Sequence, residues 1–357
     1  MAKFKLALGV LASLLFALAP AAAVHAKEAN GKSSAAKKHT TKKVKVVLRK
    51  GATAAPREKT VRRVVMVRGK RKVIYQKVSS VAVPMAAPMP TMGDLAGLNL
   101  TRDPLDLKSS VALVLDQANS EVLFEKNSNV ALPIASITKM MTGLVVVEAH
   151  QDMDELLTIT DEDVDRAKFS SSRLKVGSQL TRGNMLHIAL MSSENRAASA
   201  LGRNYPGGLP AFVDAMNSKA RQLGMMDTHY VDSSGLSKMN VASARDLGKL
   251  AMAAFRHPLL REYSTDPKAI VEASGQPMQF GNTNHLVANP GWEIGLQKTG
   301  FINEAGRCLM MQAVIEGRAV IMVFLDSKGK QSRTADAGRM RKWLEALKPA
   351  HMSLPGG

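Results

Sequence analysis

Ser136 and Lys139 stand three residues apart in "PIASITKMMTGLVVVEAH" (133–150), where a polar start gives way at once to an apolar run. Side chains at this spacing share one face of a helix. An ammonium on an apolar face is costly to bury unpaired. The pair therefore has two readings: a helix cap followed by a solvent-facing lysine, or a serine nucleophile with the lysine as its base. At a helix start, free N–H groups and the positive end of the dipole lie beside the serine. A desolvated pocket and nearby cations lower a lysine pKa until the neutral amine is populated. Two further stretches carry reactive residue types. "MSSENRAAS" places Ser193 and Asn195 in a break between two helical runs, and "LQKTGF" places Lys298, Thr299 and Gly300 at the end of a predicted strand. Glycine there lets a sheet edge come close to a ligand. Each motif alone is a cap or a turn; what counts is that all three occur in one chain.

The elements that must position these residues follow from periodicity. "SSVALVLDQANSEVLFEK" reads as a hairpin around "QANS", and a helix follows from about Ser136. "RGNMLHIALMSS" and "RAASALGRNY" read as helical pieces separated by "SEN". "PAFVDAMNSKARQLGM" and "SARDLGKLAMAAFRH" carry apolar residues at helical spacing. "GWEIGLQKTG" reads as a strand ending in a turn, "CLMMQAVIEGRAVIMVFLD" as a second hairpin, and "ADAGRMRKWLEALK" as a closing helix. Strands at both ends with helices between them predict an α+β fold, with one antiparallel sheet drawn from both termini.

The 357 residues and 45% hydrophobic content suit one large domain or two modest ones. The net charge of +19 is unevenly placed. Residues 27–80 hold 18 Lys and Arg against Glu28 and Glu58, whereas residues 81–357 hold 29 against 28. The globular part is nearly neutral, and the basic character belongs to a tail. Residues 1–26 read as a secretory signal: a basic start, the apolar "LALGVLASLLFALA", then small residues with cleavage expected after Ala26. The mature protein is expected to be exported and periplasmic or extracytoplasmic. Residues 27–95 read as a basic, Pro-containing disordered linker; "VRRVVMVRGKRKVIYQKV" suggests a two-strand element within it, marginal in isolation. Residues 27–80 would attract anionic cell-surface polymers, and nucleic acid is excluded as a partner after export. The catalytic domain is expected at 96–350, with a tail at 351–357. Cys308 is the only cysteine; it lies in an apolar strand and reads as a filler, not a nucleophile. The histidines show no metal-ligand spacing, so neither metal nor cofactor is expected.

Taken together, S-x-x-K, S-x-N and K-T-G in this order resemble the motif set of the penicillin-binding proteins and class A β-lactamases. The chain resembles the low-molecular-mass penicillin-binding proteins of the D-alanyl-D-alanine carboxypeptidase family, and more closely their endopeptidase branch. The resemblance runs through "PIASITKMMT", "IALMSSENRAASAL", "YPGG", "ARDLGKL", "NTNHLV", "QKTGF" and "GRCLMM", over about residues 105–345. It implies a five-stranded antiparallel sheet flanked by helices, plus a helical subdomain. It implies a serine D,D-peptidase acting on peptidoglycan stems and cross-links, with β-lactams as covalent inhibitors. It also implies roles. Ser136 attacks the D-Ala carbonyl, Lys139 takes its proton and Ser193 relays a proton to the leaving amine. Asn195 holds the substrate amide and Lys139. Lys298 adds positive potential that keeps Lys139 neutral and attracts a carboxylate, Thr299 binds that carboxylate or a substrate amide, and Gly300 completes the substrate-binding strand. The backbone N–H groups of Ser136 and Phe301 form the oxyanion hole.

Several alternatives remain at this stage. Class A β-lactamases deacylate through a glutamate and water, and no Glu with Asn four residues later follows Ser193. A D,D-carboxypeptidase shares the chemistry, but many carry a further C-terminal β-domain and an anchoring tail. This chain ends at "HMSLPGG" soon after the last predicted helix, which favours the endopeptidase. An inactive peptidoglycan-binding module ranks last because all three motifs are intact. His285 offers a rival serine–histidine pairing; it is expected instead to be a structural hydrogen-bonding group near the site.

Overall fold

The computed structural model describes residues 58–67, 70–79 and 89–347. The expected export signal at 1–26 and tail at 351–357 lie outside the described residues, as does most of the first half of the basic segment. The chain divides into two units, 1–84 and 85–357.

In the first unit, β1 (Glu58–Val67) and β2 (Lys70–Ser79) pair antiparallel along their whole length, from Glu58↔Ser79 to Val67↔Lys70. The expected two-strand element is therefore present. Aliphatic pairs such as Val64↔Val73 face each other across the ladder, the unit by which sheets are stabilised. Val64, Met66 and Tyr75 stay exposed, so the hairpin has no dry face of its own.

The second unit starts earlier than the expected residue 96. Helix α1 (Met92–Leu95) carries a capping box between Thr91 and Asp94, and the Met92 N–H donates to the Glu304 carbonyl at 2.9 Å. The elements that follow are β3 (Ser109–Asp116), β4 (Val122–Lys126), β5 (Leu132–Pro133), α2 (Thr138–Glu148), β6 (Leu156–Thr158), β7 (Gln179–Thr181), α3 (Arg182–Met191) and α4 (Asn195–Arg203). Next come α5 (Gly208–Gln222), β8 (Val241–Ala242), α6 (Ala244–Phe255), α7 (Pro258–Thr265), β9 (Lys268–Ala273) and β10 (Gln276–Gly281). The chain closes with β11 (Glu293–Ile302), β12 (Gly306–Ile315), β13 (Arg318–Ser327) and α8 (Ser332–Ala346).

Five of the strands form one antiparallel sheet in the order β11-β12-β13-β3-β4. The β3–β4 hairpin and the C-terminal meander thus share a sheet, as the α+β reading requires. Every residue of β3 is buried, because helices cover both faces. Val111, Leu113 and Leu115 face a core shared with Met140, Leu144, Leu247 and Leu250 of α2 and α6. The alternate residues Ala112 and Val114 face Ala337 and Met340 of α8, the period of two that a strand imposes. Residues Thr138–Val146 of α2 are all buried, so this helix is enclosed on every side. Helix α7 and the β9–β10 hairpin were absent from the sequence reading. Their signals were Pro258 at the first turn of α7 and the Ser274-Gly275 turn, both of whose residues take positive φ.

Asp336 fastens α8 to the sheet. Its fully buried carboxylate accepts from the backbone N–H of Ser109 (2.8 Å) and Lys108 (3.1 Å) and from the Ser109 hydroxyl (2.6 Å). Asp336→Ala would orphan these donors, and stability should fall by about 2–4 kcal/mol. Urea unfolding checks this; a loss under about 0.5 kcal/mol would contradict the role given to Asp336.

Candidate active site

The turn that presents Ser136 is built by steric exclusion. Ser136 lies in a single 3-10 turn, Ala135–Ile137, between β5 and α2. Pairing of β5 with β8, and the bond from the Ile134 N–H to the Asn240 carbonyl (3.1 Å), fix its approach. Ala135 adopts φ +48°, a region that non-glycine residues seldom occupy. Two glycines clamp it. A Cβ on Gly235, itself at φ +82°, would sit 2.0 Å from the Ala135 carbonyl oxygen. A Cβ on Gly300 would sit 2.7 Å from the Ile134 oxygen and 3.2 Å from the Ser136 nitrogen. Gly300 was expected to open the strand to a ligand; it first lets β11 reach the nucleophile's own backbone.

Lys139 is fully buried. Its Nζ lies 2.9 Å from Ser136 Oγ, 2.7 Å from Asn195 Oδ1 and 2.6 Å from the Ser234 carbonyl oxygen. Burial lowers its pKa to about 7, against the opposing pull of Asp232 and Glu194. The partners then dictate the proton arrangement. Two of them, an amide oxygen and a backbone carbonyl, can only accept. A neutral amine satisfies both with its two N–H bonds, which leaves its lone pair for the Ser136 hydroxyl. Asn195 keeps its oxygen towards Lys139 because its Nδ2 donates to Ser170 Oγ at 3.0 Å.

The three motifs converge, with differences from expectation. Asn195 opens α4, whose N-cap is Glu194, and Ser193 holds φ +63° in the break before it. Among the described residues, no hydrogen bond joins the Ser193 hydroxyl to Ser136 or Lys139. Lys298, Thr299 and Gly300 lie inside β11, which continues to Ile302, and not at its end. Lys298 is fully buried, with Nζ donating to the Thr299 carbonyl at 2.9 Å. Its own pKa is pushed well down, first by burial and then by the charges of Lys139 and Arg333. Burial, more than the Lys298 charge, is thus what holds Lys139 near neutrality. Phe301 is half exposed, next to the point where β11 meets the Ser136 nitrogen.

His285 is exposed on the 3-10 turn His285–Ala288, so it is not the structural hydrogen-bonding group expected of it. Its neighbours fill that place: Thr283 Oγ1 lies 2.6 Å from Thr299 Oγ1, and Asn284 is fully buried. Cys308 is buried and its thiol is pushed up to about 12 by that burial, in keeping with a filler.

Four contributors escaped the sequence reading: Ser170, Ser234, Gly235 and Arg333. The loop bearing Ser234 is organised by Asp232, whose carboxylate accepts from the N–H groups of Ser234 (2.7 Å), Gly235 (2.5 Å) and Ser237 (2.9 Å). An Asp followed by Ser-Ser-Gly is a recognisable turn signal. Arg333, from α8, donates to the Gly300 carbonyl at 2.8 Å and has no local sequence signal. One cleft, of about 530 Å³, is bordered by Asn195 and Ser234, and another, of about 470 Å³, by Phe301.

The clamp on the nucleophile's turn is testable. Gly235→Ala should slow covalent labelling by penicillin at least about tenfold, because the Ala135 carbonyl must move. Gly317→Ala, also at positive φ but with open space around it, should cost about 1 kcal/mol of stability and leave labelling intact. Equal labelling rates for the two variants would contradict the clamp.

Comparison with known proteins agrees with this geometry. A family model described as D-alanyl-D-alanine carboxypeptidase matches residues 99–329. The chain is 47% identical over 268 residues to a D-alanyl-D-alanine endopeptidase of Pseudomonas aeruginosa, covering 74% of this chain and 84% of that protein. It is 42% identical to a D-alanyl-D-alanine endopeptidase of Escherichia coli, covering 68% and 79%. Among solved structures, a Streptomyces DD-transpeptidase superposes with a TM-score of 0.64 at 26% identity, covering 69% of this chain and all of that one. The buried Ser–Lys pair, the five-stranded sheet and these matches lead to one assignment: the chain belongs to the D-alanyl-D-alanine carboxypeptidase family of peptidases.

Proposed function

We propose that this protein is a serine D,D-endopeptidase that cuts D-alanyl-linked peptide cross-links in peptidoglycan through an acyl-enzyme. The observation that carries the reading is the 2.9 Å contact between Ser136 Oγ and the fully buried Nζ of Lys139. In this account Ser136 Oγ attacks the D-Ala carbonyl carbon as its proton passes to the Lys139 lone pair. The negative charge that develops on the carbonyl oxygen is met by the N–H groups of Ser136 and Phe301. Such donors are worth about 3–4 kcal/mol each. The C–N bond then breaks, and the leaving amine takes the proton from Lys139 by way of the Ser193 hydroxyl. Water, activated by the amine regenerated on Lys139, hydrolyses the ester and frees Ser136. Asn195 holds Lys139 and the substrate amide, while Lys298, Thr299 and Gly300 carry the substrate along β11.

The similarity to two endopeptidases at more than 40% identity supports cross-links over terminal D-Ala as the preferred target. The export features of residues 1–26 support action outside the cytoplasm. Residues 27–80, with their 18 basic side chains, are proposed to hold the enzyme near anionic wall polymers. Residues 89–347 are proposed as the peptidase domain.

Digestion of purified peptidoglycan tests the reading: cross-linked dimers should fall to monomers. Loss of only terminal D-Ala from monomeric pentapeptides would make the enzyme a carboxypeptidase instead. Ser136→Ala should abolish the covalent penicillin adduct, and an adduct on that variant would overturn the nucleophile. Lys139→Arg keeps a charge that cannot be given up. It should slow acylation by about 10²–10⁴-fold in a folded protein. The pH profile follows from the sign of the Lys139 shift. The active amine is the deprotonated form, so acylation should climb with pH through about 7 and level off above roughly pH 8. A rate that is flat from pH 5 to 8 would contradict a lysine base.

A further inference from the structure

The loop between β6 and β7 supplies Ser170, the residue that orients Asn195, yet it has almost no apolar anchor. Asp163 and Leu174 are buried, and none of residues 164–173 between them is. Asp163 is held by Arg203 at 2.9 Å, and Arg173 lies 4.0 Å from the centre of the Phe280 ring, so the two ends of the span are fixed. Its middle is not packed. Phe169 adopts φ +53° and is 82% exposed. A bulky residue in that region is strained, and here no burial offsets the strain.

Polar contacts hold the middle instead. The Asp165 carboxylate accepts from the N–H groups of Ala167 (2.9 Å), Lys168 (2.8 Å) and Ser170 (2.8 Å), which closes residues 165–170 into a turn. Among the described residues, two hydrogen bonds tie that turn to the rest of the unit. Ser170 Oγ accepts from Asn195 Nδ2 at 3.0 Å, and Lys168 Nζ is ion-paired with Glu304. Glu304 stands in the turn between β11 and β12 and is itself anchored, since its carbonyl accepts from the Met92 N–H at 2.9 Å. Lys168 and Glu304 both line the cleft that Asn195 and Ser234 border, and those two residues bind Lys139 Nζ at 2.7 and 2.6 Å. The ion pair thus joins the loop that orients Asn195 to the strand that carries Lys298 and Gly300. The Lys168 hydrogen bond holds the Glu304 carboxyl below its usual range, so Glu304 is ionised wherever Lys139 titrates.

We propose that Lys168 and Glu304 are positioning residues for acyl transfer: their ion pair holds the 165–170 turn so that Ser170 keeps Asn195 Oδ1 on Lys139. Without it the Asn195 amide is free to turn its Nδ2 towards Lys139. The amine then loses an acceptor, and its lone pair meets a donor that competes with the Ser136 hydroxyl. The proposal rests on the lysine base and not on which peptidoglycan bond is cut.

Penicillin acylation of the mature full-length protein tests it. Lys168→Met and Glu304→Gln should each slow acylation about tenfold, the effect of a small misplacement in the site. Lys168→Arg, which can still pair with Glu304, should keep the wild-type rate. Lys108→Met breaks a surface pair with Asp106 of similar length and should change nothing. Ser170→Ala acts through the same amide, so adding it to Lys168→Met should cost nothing further. The acid limb of the pH profile should also move, because Asn195 Oδ1 favours the ammonium over the amine. Its withdrawal lowers the Lys139 pKa, with Asp232, Glu194 and Lys298 still in place, and the limb shifts below about 7. A Lys168→Met enzyme that acylates as fast as wild type would overturn the positioning role. So would additive losses with Ser170→Ala, or a slowed rate whose acid limb stays at the wild-type pH, since each means that the pair supports the fold without acting on Asn195. A wild-type rate that is flat from pH 5 to 8 would overturn the lysine base itself, and this role with it.

Discussion

The burial of the Lys139 amine is the constraint on which the rest of the site depends. A lysine on a fully enclosed helix is tolerated only where its polar atom is partnered, and here the partners come from three separate parts of the chain: Ser136, Asn195 and Ser234. Each partner needs its own support. Asn195 is oriented by Ser170, Ser234 by the turn around Asp232, and that turn by Asn240, whose Oδ1 accepts from the Val231 and Asp232 N–H groups. Asn240 also donates to Thr138 Oγ1, next to Lys139 itself, which closes the circuit. The arrangement has a thermodynamic cost. Between about pH 7 and the ordinary value of 10.5, the folded chain gives up a proton that the unfolded chain keeps. This group's contribution to stability therefore improves as pH rises through that window and is least favourable below it.

A second condition is close approach. The nucleophile's turn is pressed between β11 and the Asp232 loop, and both contacts admit only glycine. Gly300 brings an edge strand of the sheet to the Ser136 nitrogen. Lys298 reaches the same interior from that strand and is also dry. Burial and the Lys139 charge together push the Lys298 amine well down.

Much of this was legible in the sequence because it is written in short-range pattern. The alternation in "VALVLD" and "VIMVFLD" set strands whose faces meet two different helical layers, and Ser136, Lys139, Ser193, Asn195 and Lys298 were placed by spacing on a helix start, a break and a strand. What the pattern missed depends on tertiary contact. Ser234 acts through a backbone carbonyl, which any residue type supplies, and Arg333 arrives from α8 with no neighbouring motif. His285 looked suited to the site by residue type, yet Thr283, two residues earlier, faces it. The β1–β2 hairpin was undervalued because its charge density resembles that of a disordered segment, although its β-branched residues pair across the ladder.

The central claim is that Lys139 is neutral at working pH because it is buried, with its lone pair turned to Ser136. Selective labelling of lysine side chains, with the Lys139 signal assigned by its loss in Lys139→Arg, permits direct titration by NMR in the free enzyme. The account predicts one lysine that titrates near pH 7, far below its surface counterparts. A Lys139 signal that stays protonated up to about pH 10, the range of an unperturbed lysine, would contradict it.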